Sequence, residues 1–349
     1  MNYRISLLFR AIPVVMAGVC LGMGLTVLRH PHPDPDAYVA GHVNVFLTAI
    51  CLCLFATACT IIRQLLGRYS AADRLAYPIL AGLLAAGTFA YGVHLATDPD
   101  SPNPHSLAGH VILGLGLICG CVFSVVLAST RFSTIPLNSA SAPGSPAAGP
   151  SFGATFARLL PFLPFALALT AWTWSIVLLA GGGHGTGVPR STAGFVLAGI
   201  ACVCTALIGL VASILRQVQG TYTDTDRRAW PALAAAAGAV SLLWGIGLIC
   251  HDNPKWATPG LVMAGLGLVC WSILSKVLLL AIVWRRTAEL ASRVPMIPTL
   301  TALSCLFLST FLFEADTSSV IVAARVLVGL GAICYSLFSI VSILESGTS

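Results

Sequence analysis

The 349-residue sequence predicts an all-α polytopic membrane protein of about ten transmembrane helices, built from five parallel helical-hairpin repeats. Three observations carry this expectation: a composition that no water-soluble surface can supply, ten apolar runs of bilayer-spanning length, and a short signature that returns at the start of every second run. Hydrophobic residues make up 57% of the chain and charged ones 9%, with a mean hydropathy of +0.91. An average soluble domain has about 25% charged residues, so water-facing enzyme folds are excluded and the lipid bilayer is the first partner. The net charge of +6 does not point to nucleic acid, because the eighteen Lys and Arg are scattered singly or in pairs at the ends of apolar runs and form no phosphate-tracking face.

The first element is preceded by Arg4 and Arg10 and runs apolar from Ala11 to Leu28. It resembles a secretory signal but is too long, and no small-residue cleavage site precedes Arg29, so it is read as a transmembrane helix. The remaining runs are 38–62, 75–95, 106–130, 157–181, 191–215, 229–250, 257–284, 296–314 and 321–344. Each is long enough to cross a hydrocarbon core of about 30 Å. Internal Gly and Pro are compatible with membrane helices, where neighbouring groups re-satisfy the backbone.

The signature reads Ala40-Gly41-His42-Val43, Ala108-Gly109-His110-Val111, Ala193-Gly194-Phe195-Val196, Pro259-Gly260-Leu261-Val262 and Ala324-Arg325-Val326. Behind it lies a common body, as in Gly114-Leu115-Gly116 and Gly265-Leu266-Gly267. The alternate helices begin with Arg followed shortly by Pro: Arg10/Pro13, Arg74/Pro78, Arg158/Pro161, Arg228/Pro231 and Arg293/Pro295. The unit is therefore one hairpin, and with two helices per unit every copy enters from the same side, unlike inverted transporter repeats. A gapless match links Ile62-Arg63-Gln64 through Gly67, Tyr69, Asp73, Arg74 and Pro78 with Leu215-Arg216-Gln217 through Gly220, Tyr222, Asp226, Arg227 and Pro231. The predicted organisation is 1–130 (repeats one and two), a flexible cytoplasmic linker at 131–156 rich in Ser, Ala, Pro and Gly, 157–286 (repeats three and four) and 287–349 (repeat five). The five units are compatible with a ring or with two pairs and a peripheral fifth, and the pairwise match leans towards the second. Glycine series such as Gly18/Gly22 and Gly116/Gly120 read as small-residue packing positions.

Thirteen Lys and Arg fall on the N-terminal side of the membrane, against Arg29, Arg190 and Lys255 on the other. By the positive-inside rule both termini are expected in the cytoplasm, with Trp230, Trp256 and Trp284 as interfacial anchors. All eight histidines then belong to outer loops or outer helical turns, beside Asp34, Asp36, Asp98, Asp100 and Asp252. Eleven of the twelve cysteines lie inside apolar runs and read as packing residues. The thiols of the Cys-x-Cys pairs 51/53, 119/121 and 202/204 sit about 200° apart around a helix and point to opposite sides.

Intramembrane ionisable groups are the default functional candidates. His42, His110 and Arg325 share one repeat position about a turn inside the outer interface. If their helices cluster they line one outward-facing cavity, with His94 nearby and with Glu314 and Asp316 as partners for Arg325; the bland alternative is interhelical hydrogen bonding and snorkelling. Lys276 is deeper, about 13 Å from Arg285 at the cytoplasmic end. It pairs with a helix dipole or carbonyls, or it extends inward. Metal, haem and other cofactors are not expected, since no CxxCH, HExxH or acidic cage occurs. His42 and His110 nonetheless keep a haem or outer-face metal reading open as an alternative. No nucleophile elbow, phosphate loop or embedded carboxylate pair marks an enzyme.

Several stretches carry a resemblance: Ser275-Lys276-Val277 through Trp284-Arg285-Arg286-Thr287, Arg293-Val294-Pro295-Met296-Ile297-Pro298, and Arg325-Val326-Leu327-Val328-Gly329 through Ser342-Ile343-Leu344-Glu345. With the Ala-Gly-His-Val elements and Ile62-Arg63-Gln64, they make the chain resemble the YhiM-like inner-membrane proteins of bacteria over nearly its full length. Phe195 in place of a third histidine and the stretch 131–156 depart from that pattern. The resemblance implies an inner-membrane location and a role in acid and envelope stress, and it brings no catalytic residues. Because imidazole titrates near pH 6.5, the leading expectation is a pH-responsive transporter or channel for a small solute or ion, with a His/Arg-lined outer cavity. A non-transporting scaffold that binds an envelope-stress partner is the alternative from another class.

Overall fold

The computed structural model of the protein describes residues 3–29, 35–97, 103–130, 160–181, 188–284, 292–314 and 318–346. The expected linker at 131–156 lies outside them. Ten helices carry the fold: α1 Tyr3–Leu28, α2 Pro35–Leu65, α3 Ala71–Thr97, α4 Asn103–Ser129, α5 Phe162–Gly181, α6 Val188–Val218, α7 Asp224–Ile249, α8 Ala257–Trp284, α9 Met296–Phe313 and α10 Ser318–Ser346. All ten contain a segment long and apolar enough to cross a membrane. The fold is thus an all-α polytopic membrane protein, as composition dictates.

Burial separates the helices into two classes. The even-numbered helices bury 72% to 83% of their most apolar windows, the odd-numbered ones 22% to 33%. Each odd helix packs on the even helix that follows it. The even helices also pack on one another in the order α2, α4, α6, α8, α10 and back to α2, which closes a ring of five. Every odd helix lies outside the ring, in the groove between its own even helix and the preceding one: α1 touches α10, α3 touches α2, α5 touches α4, α7 touches α6 and α9 touches α8. The fifth unit is therefore an equal member of the ring. The expectation of two pairs with a peripheral fifth is corrected, because sequence likeness between units follows their history whereas packing follows the equivalent apolar faces that all five present.

Glycine sets the spacing. Gly114, Gly199, Gly265 and Gly329 lie three residues after the signature valine of their helices, and each abuts residues one and four places after the valine of the next helix: Leu197 and Ile200, Met263 and Leu266, Leu327 and Leu330, Asn44 and Leu47. A methyl group on any of the four would meet the nearest of those side chains at 2.4 to 2.7 Å. In α2 the equivalent residue is Phe46, whose ring instead stacks on Tyr91 of α3 at 5.0 Å. A second series faces each unit's own outer helix, with Gly109 against Ala96 and Gly260 against Gly245 in backbone contact. Gly116 and Gly120 pack on Phe89 and Leu167, whereas Gly18 and Gly22 have nothing within 4 Å. These two do not pack, contrary to the sequence expectation; they face outward on a helix with little interior surface.

On the outer helices a buried proline heads a stripe of small residues: Pro13, Pro78, Pro164, Pro231 and Pro298. In the third and fifth units these are not the prolines that the Arg–Pro spacing selected, because Pro161 and Pro295 precede the helices. The opposite faces expose Ile79 and Leu83, Phe165 and Leu169, Leu303 and Phe307, the spacing of a lipid-facing stripe. Eleven cysteines are buried and only Cys250 is exposed. The Cys-x-Cys thiols do diverge: Cys51 meets Cys20 of α1 while Cys53 meets Cys119 of α4.

Candidate functional site

The ring encloses an axis. Seven residues after the signature valine stand Ile50, Ile118, Val203, Val269 and Ile333, and eleven after it stand Leu54, Val122, Leu207, Ile273 and Leu337. Fourteen after it the layer is Thr57, Val125, Leu210, Lys276 and Ile340, and eighteen after it Ile61, Ser129, Ile214, Leu280 and Leu344. Steps of four, three and four residues keep one face of a helix turned to a common axis, as in a coiled coil. These layers line two stacked cavities of about 20 Å³ each, room for about one water molecule apiece. All five helices contribute to both.

Among the described residues Lys276 is the single ionisable residue of the lining, and it borders both cavities. Its exposure is 3%. Among the described residues no carboxylate pairs with it and no hydrogen-bond acceptor reaches it. Its neighbours in the lining are aliphatic side chains, Val125, Leu210 and Ile273 among them. Thr57 sits at the same level with its hydroxyl donating to the Cys53 carbonyl at 3.0 Å, and Ser129 donates to Val125 at 2.8 Å.

At the end of the ring nearer Lys276, the gapless match of the two sequence halves becomes a duplicated clamp. Arg63 Nη1 donates to both oxygens of Asp73 at 2.7 and 2.9 Å, and Arg216 Nη1 donates to Asp226 at 2.5 Å. The aspartates also accept from the backbone N–H and hydroxyl of Ser70 and of Thr223, capping α3 and α7. Gln64 and Gln217 donate to carbonyls of the next inner helix, Ser129 at 2.7 Å and Leu280 at 2.9 Å. Gly67 and Gly220 take φ of +65° and +68° to reverse the chain between the two halves of each clamp. In the short segments between the helices, burial pushes the Tyr69 and Tyr222 hydroxyls above their ordinary pKa.

The outer candidates are placed differently from the expected cavity. His42 donates from Nδ1 to the Tyr38 carbonyl at 3.1 Å and stacks towards Tyr91 of α3. His110 donates to the Ser106 carbonyl at 2.6 Å and stacks on Trp174 of α5. Phe195, at the same repeat position, packs against Trp244 and Trp256. This position faces the next unit's outer helix, so the recorded contacts distribute His42 and His110 over successive grooves and do not bring them to the axis. The Arg325 carbonyl accepts from Asn44 at 3.2 Å where the ring closes. Arg325 forms no ion pair with Glu314 among the described residues, and Glu314 and His94 are exposed. Asp316 lies outside the described residues, as do the side chains of His30, His32, His105 and His184. Among the described residues no three His, Cys, Asp or Glu side chains converge as a metal site. The axial layers escaped the sequence reading, although their signal was present: the same aliphatic spacing behind the same valine in all five units.

The sequence profile of a family described as "Protein of unknown function (DUF2776)" matches residues 1–349. The chain belongs to this family. It is 39% identical over 352 aligned residues to the Inner membrane protein YhiM of Escherichia coli (strain K12), an alignment covering 100% of this chain and 99% of that protein. With ten apolar helices of spanning length, the family member described here is a YhiM-like, multi-pass inner-membrane protein.

Proposed function

We propose that the protein provides a normally closed pathway for a small ion or solute across the inner membrane, in support of survival under acid and envelope stress. What carries the reading is the axial file: four layers contributed by all five inner helices, sealed by aliphatic side chains and interrupted by one buried lysine that has no partner among the described residues. Narrow apolar constrictions gate by excluding water, and charged side chains in a pore select by sign. A tight scaffold gains nothing from a lone lysine at its centre, since a buried polar head group is costly unless it is paired. The distribution of Lys and Arg supports cytoplasmic termini, which puts Lys276 in the cytoplasmic half. His42 and His110 then lie in outer grooves between units, against Tyr91 and Trp174 of the next unit's outer helix, where a change in their contacts would bear on how neighbouring units pack.

The test is ion flux in proteoliposomes stepped from outer pH 7 to pH 5. Wild type is expected to be tight at pH 7 and to conduct at pH 5, and His42→Gln with His110→Gln to lose the acid response. Ile118→Ser with Ile333→Ser, which wets the first axial layer, is expected to leak at both values. Absence of flux in wild type and in the wetted variant would sink the pathway and favour the scaffold; co-purification of a stable envelope partner would then be sought.

A further inference from the structure

The pathway reading leaves the chemistry of its charge unassigned. Lys276 offers N–H donors on the axis at 3% exposure, with no acceptor in reach among the described residues. Neither cavity is lined by Asp or Glu. The only other polar side chains of the lining, Thr57 and Ser129, commit their hydroxyl protons to backbone carbonyls. The site therefore presents one lysine amine, able to donate and to carry a proton, inside an aliphatic cage with room for about one water-sized guest per cavity.

An ammonium is costly in an apolar site without a counter-charge, so the lysine holds its proton and an anion there together, the anion accepting a charge-assisted hydrogen bond. The cage narrows the choice. Phosphate or a carboxylate is larger than the space and would leave acceptor oxygens facing aliphatic walls without donors. A cation would meet the like charge with no carboxylate to offset it. We propose that Lys276 binds one small, weakly hydrated monovalent anion of the halide class on the ring axis. The proposal deepens the pathway reading and rests on it for the guest's route of entry.

Bromide is the probe. Detergent-purified protein in gluconate is expected to show a melting temperature that rises with bromide and saturates, with no rise for phosphate. Lys276→Met is expected to weaken the apparent bromide affinity by about tenfold or more, the scale of a lost charge-assisted hydrogen bond, while Lys276→Arg retains it. A cooperative melt of Lys276→Met in gluconate shows that the variant is folded. A wild type indifferent to bromide, or an equal response in Lys276→Met, would overturn the site. Proteoliposome flux separates the two readings. Bromide stabilisation lost in Lys276→Met without flux in wild type upholds the site and removes the pathway; flux unchanged by Lys276→Met, without bromide stabilisation, removes the site and leaves the pathway.

Discussion

Lys276→Met is expected to make the protein more stable in a buffer whose only anion is gluconate. Lys276 lines the axis without a partner among the described residues, so folding bears the cost of desolvating its polar head group, which no ion pair returns. Met keeps an unbranched stem of similar length among Val125, Leu210 and Ile273, and volume-conserving exchanges in a core cost less than about 1.5 kcal/mol. Replacing buried ion pairs with well-packed apolar groups gains about 1–4 kcal/mol, and the same scale is taken for this unpaired lysine. At roughly 2 °C per kcal/mol for a chain of this size, the melt of detergent-purified protein should rise by about 2–8 °C. Leu210→Met, in the same layer, serves as the control for packing and should change the melt little or lower it. Bromide should narrow the gap between wild type and Lys276→Met by stabilising only the former. A lowered melt for Lys276→Met, with Leu210→Met unchanged, would show that the ammonium is satisfied within the ring and would refute the argument that it is retained at a cost for function.

The other expectations follow from packing, the clamps and topology. Gly245→Ala puts a methyl 2.6 Å from the Gly260 carbonyl oxygen, whereas Gly247→Ala meets nothing within 4 Å. The first should destabilise by about 1–3 kcal/mol and the second should be neutral or stabilising by up to about 1 kcal/mol, read from melts of the two variants; equal effects would contradict the backbone contact between α7 and α8. Arg63→Ala and Arg216→Ala should each cost about 1–2 kcal/mol, because Asp73 and Asp226 keep their cap donors and the arginines are partly solvated. The two losses should add, since they lie on different hairpins, and a double variant no worse than either single one would deny that the clamps are independent. Cys250 is the one exposed thiol, so a membrane-impermeant maleimide applied to spheroplasts should label wild type and not Cys250→Ser. Labelling only after lysis would reverse the proposed orientation.

Much of the fold was legible because lipid makes composition decisive: a run such as Leu8–Leu28 has few alternatives to a spanning helix. The clamps were legible as a gapless likeness between Arg63–Asp73 and Arg216–Asp226, though their hydrogen bonds were not, since the partners lie ten residues apart across a glycine turn. Ring closure was hidden. It depends on Gly329 meeting Asn44 and Leu47, a contact between the last helix and the second that no local pattern announces. The same applies to His42 and His110: equal repeat position fixed their depth, but it could not say whether that position turns to the axis or to the neighbouring unit. Gly18 and Gly22 show the converse error, a packing motif on a helix with nothing opposite it.

The variation among the five units bears on why one chain forms a ring that five identical hairpins could also close. In a ring of identical copies every axial position is occupied five times, and five ammonium groups around one narrow axis would repel one another in a medium that screens poorly. Here the level of Lys276 is completed by Thr57, Val125, Leu210 and Ile340, so that level carries a single lysine. The rim varies in the same way: His42, His110, Phe195, Leu261 and Arg325 share one position, and only some of them respond to pH near neutrality. Covalent linkage of the units lets each position be set independently while the glycine contacts keep the ring in register. On this argument, Val125→Lys or Ile340→Lys beside an intact Lys276 should disrupt the ring more than Lys276→Met does. Moving the lysine, as in Lys276→Leu with Ile340→Lys, should leave it folded with its charge still on the axis. Loss of folding in the exchanged variant alone would show that the site depends on the environment of α8 rather than on the symmetry of the layer.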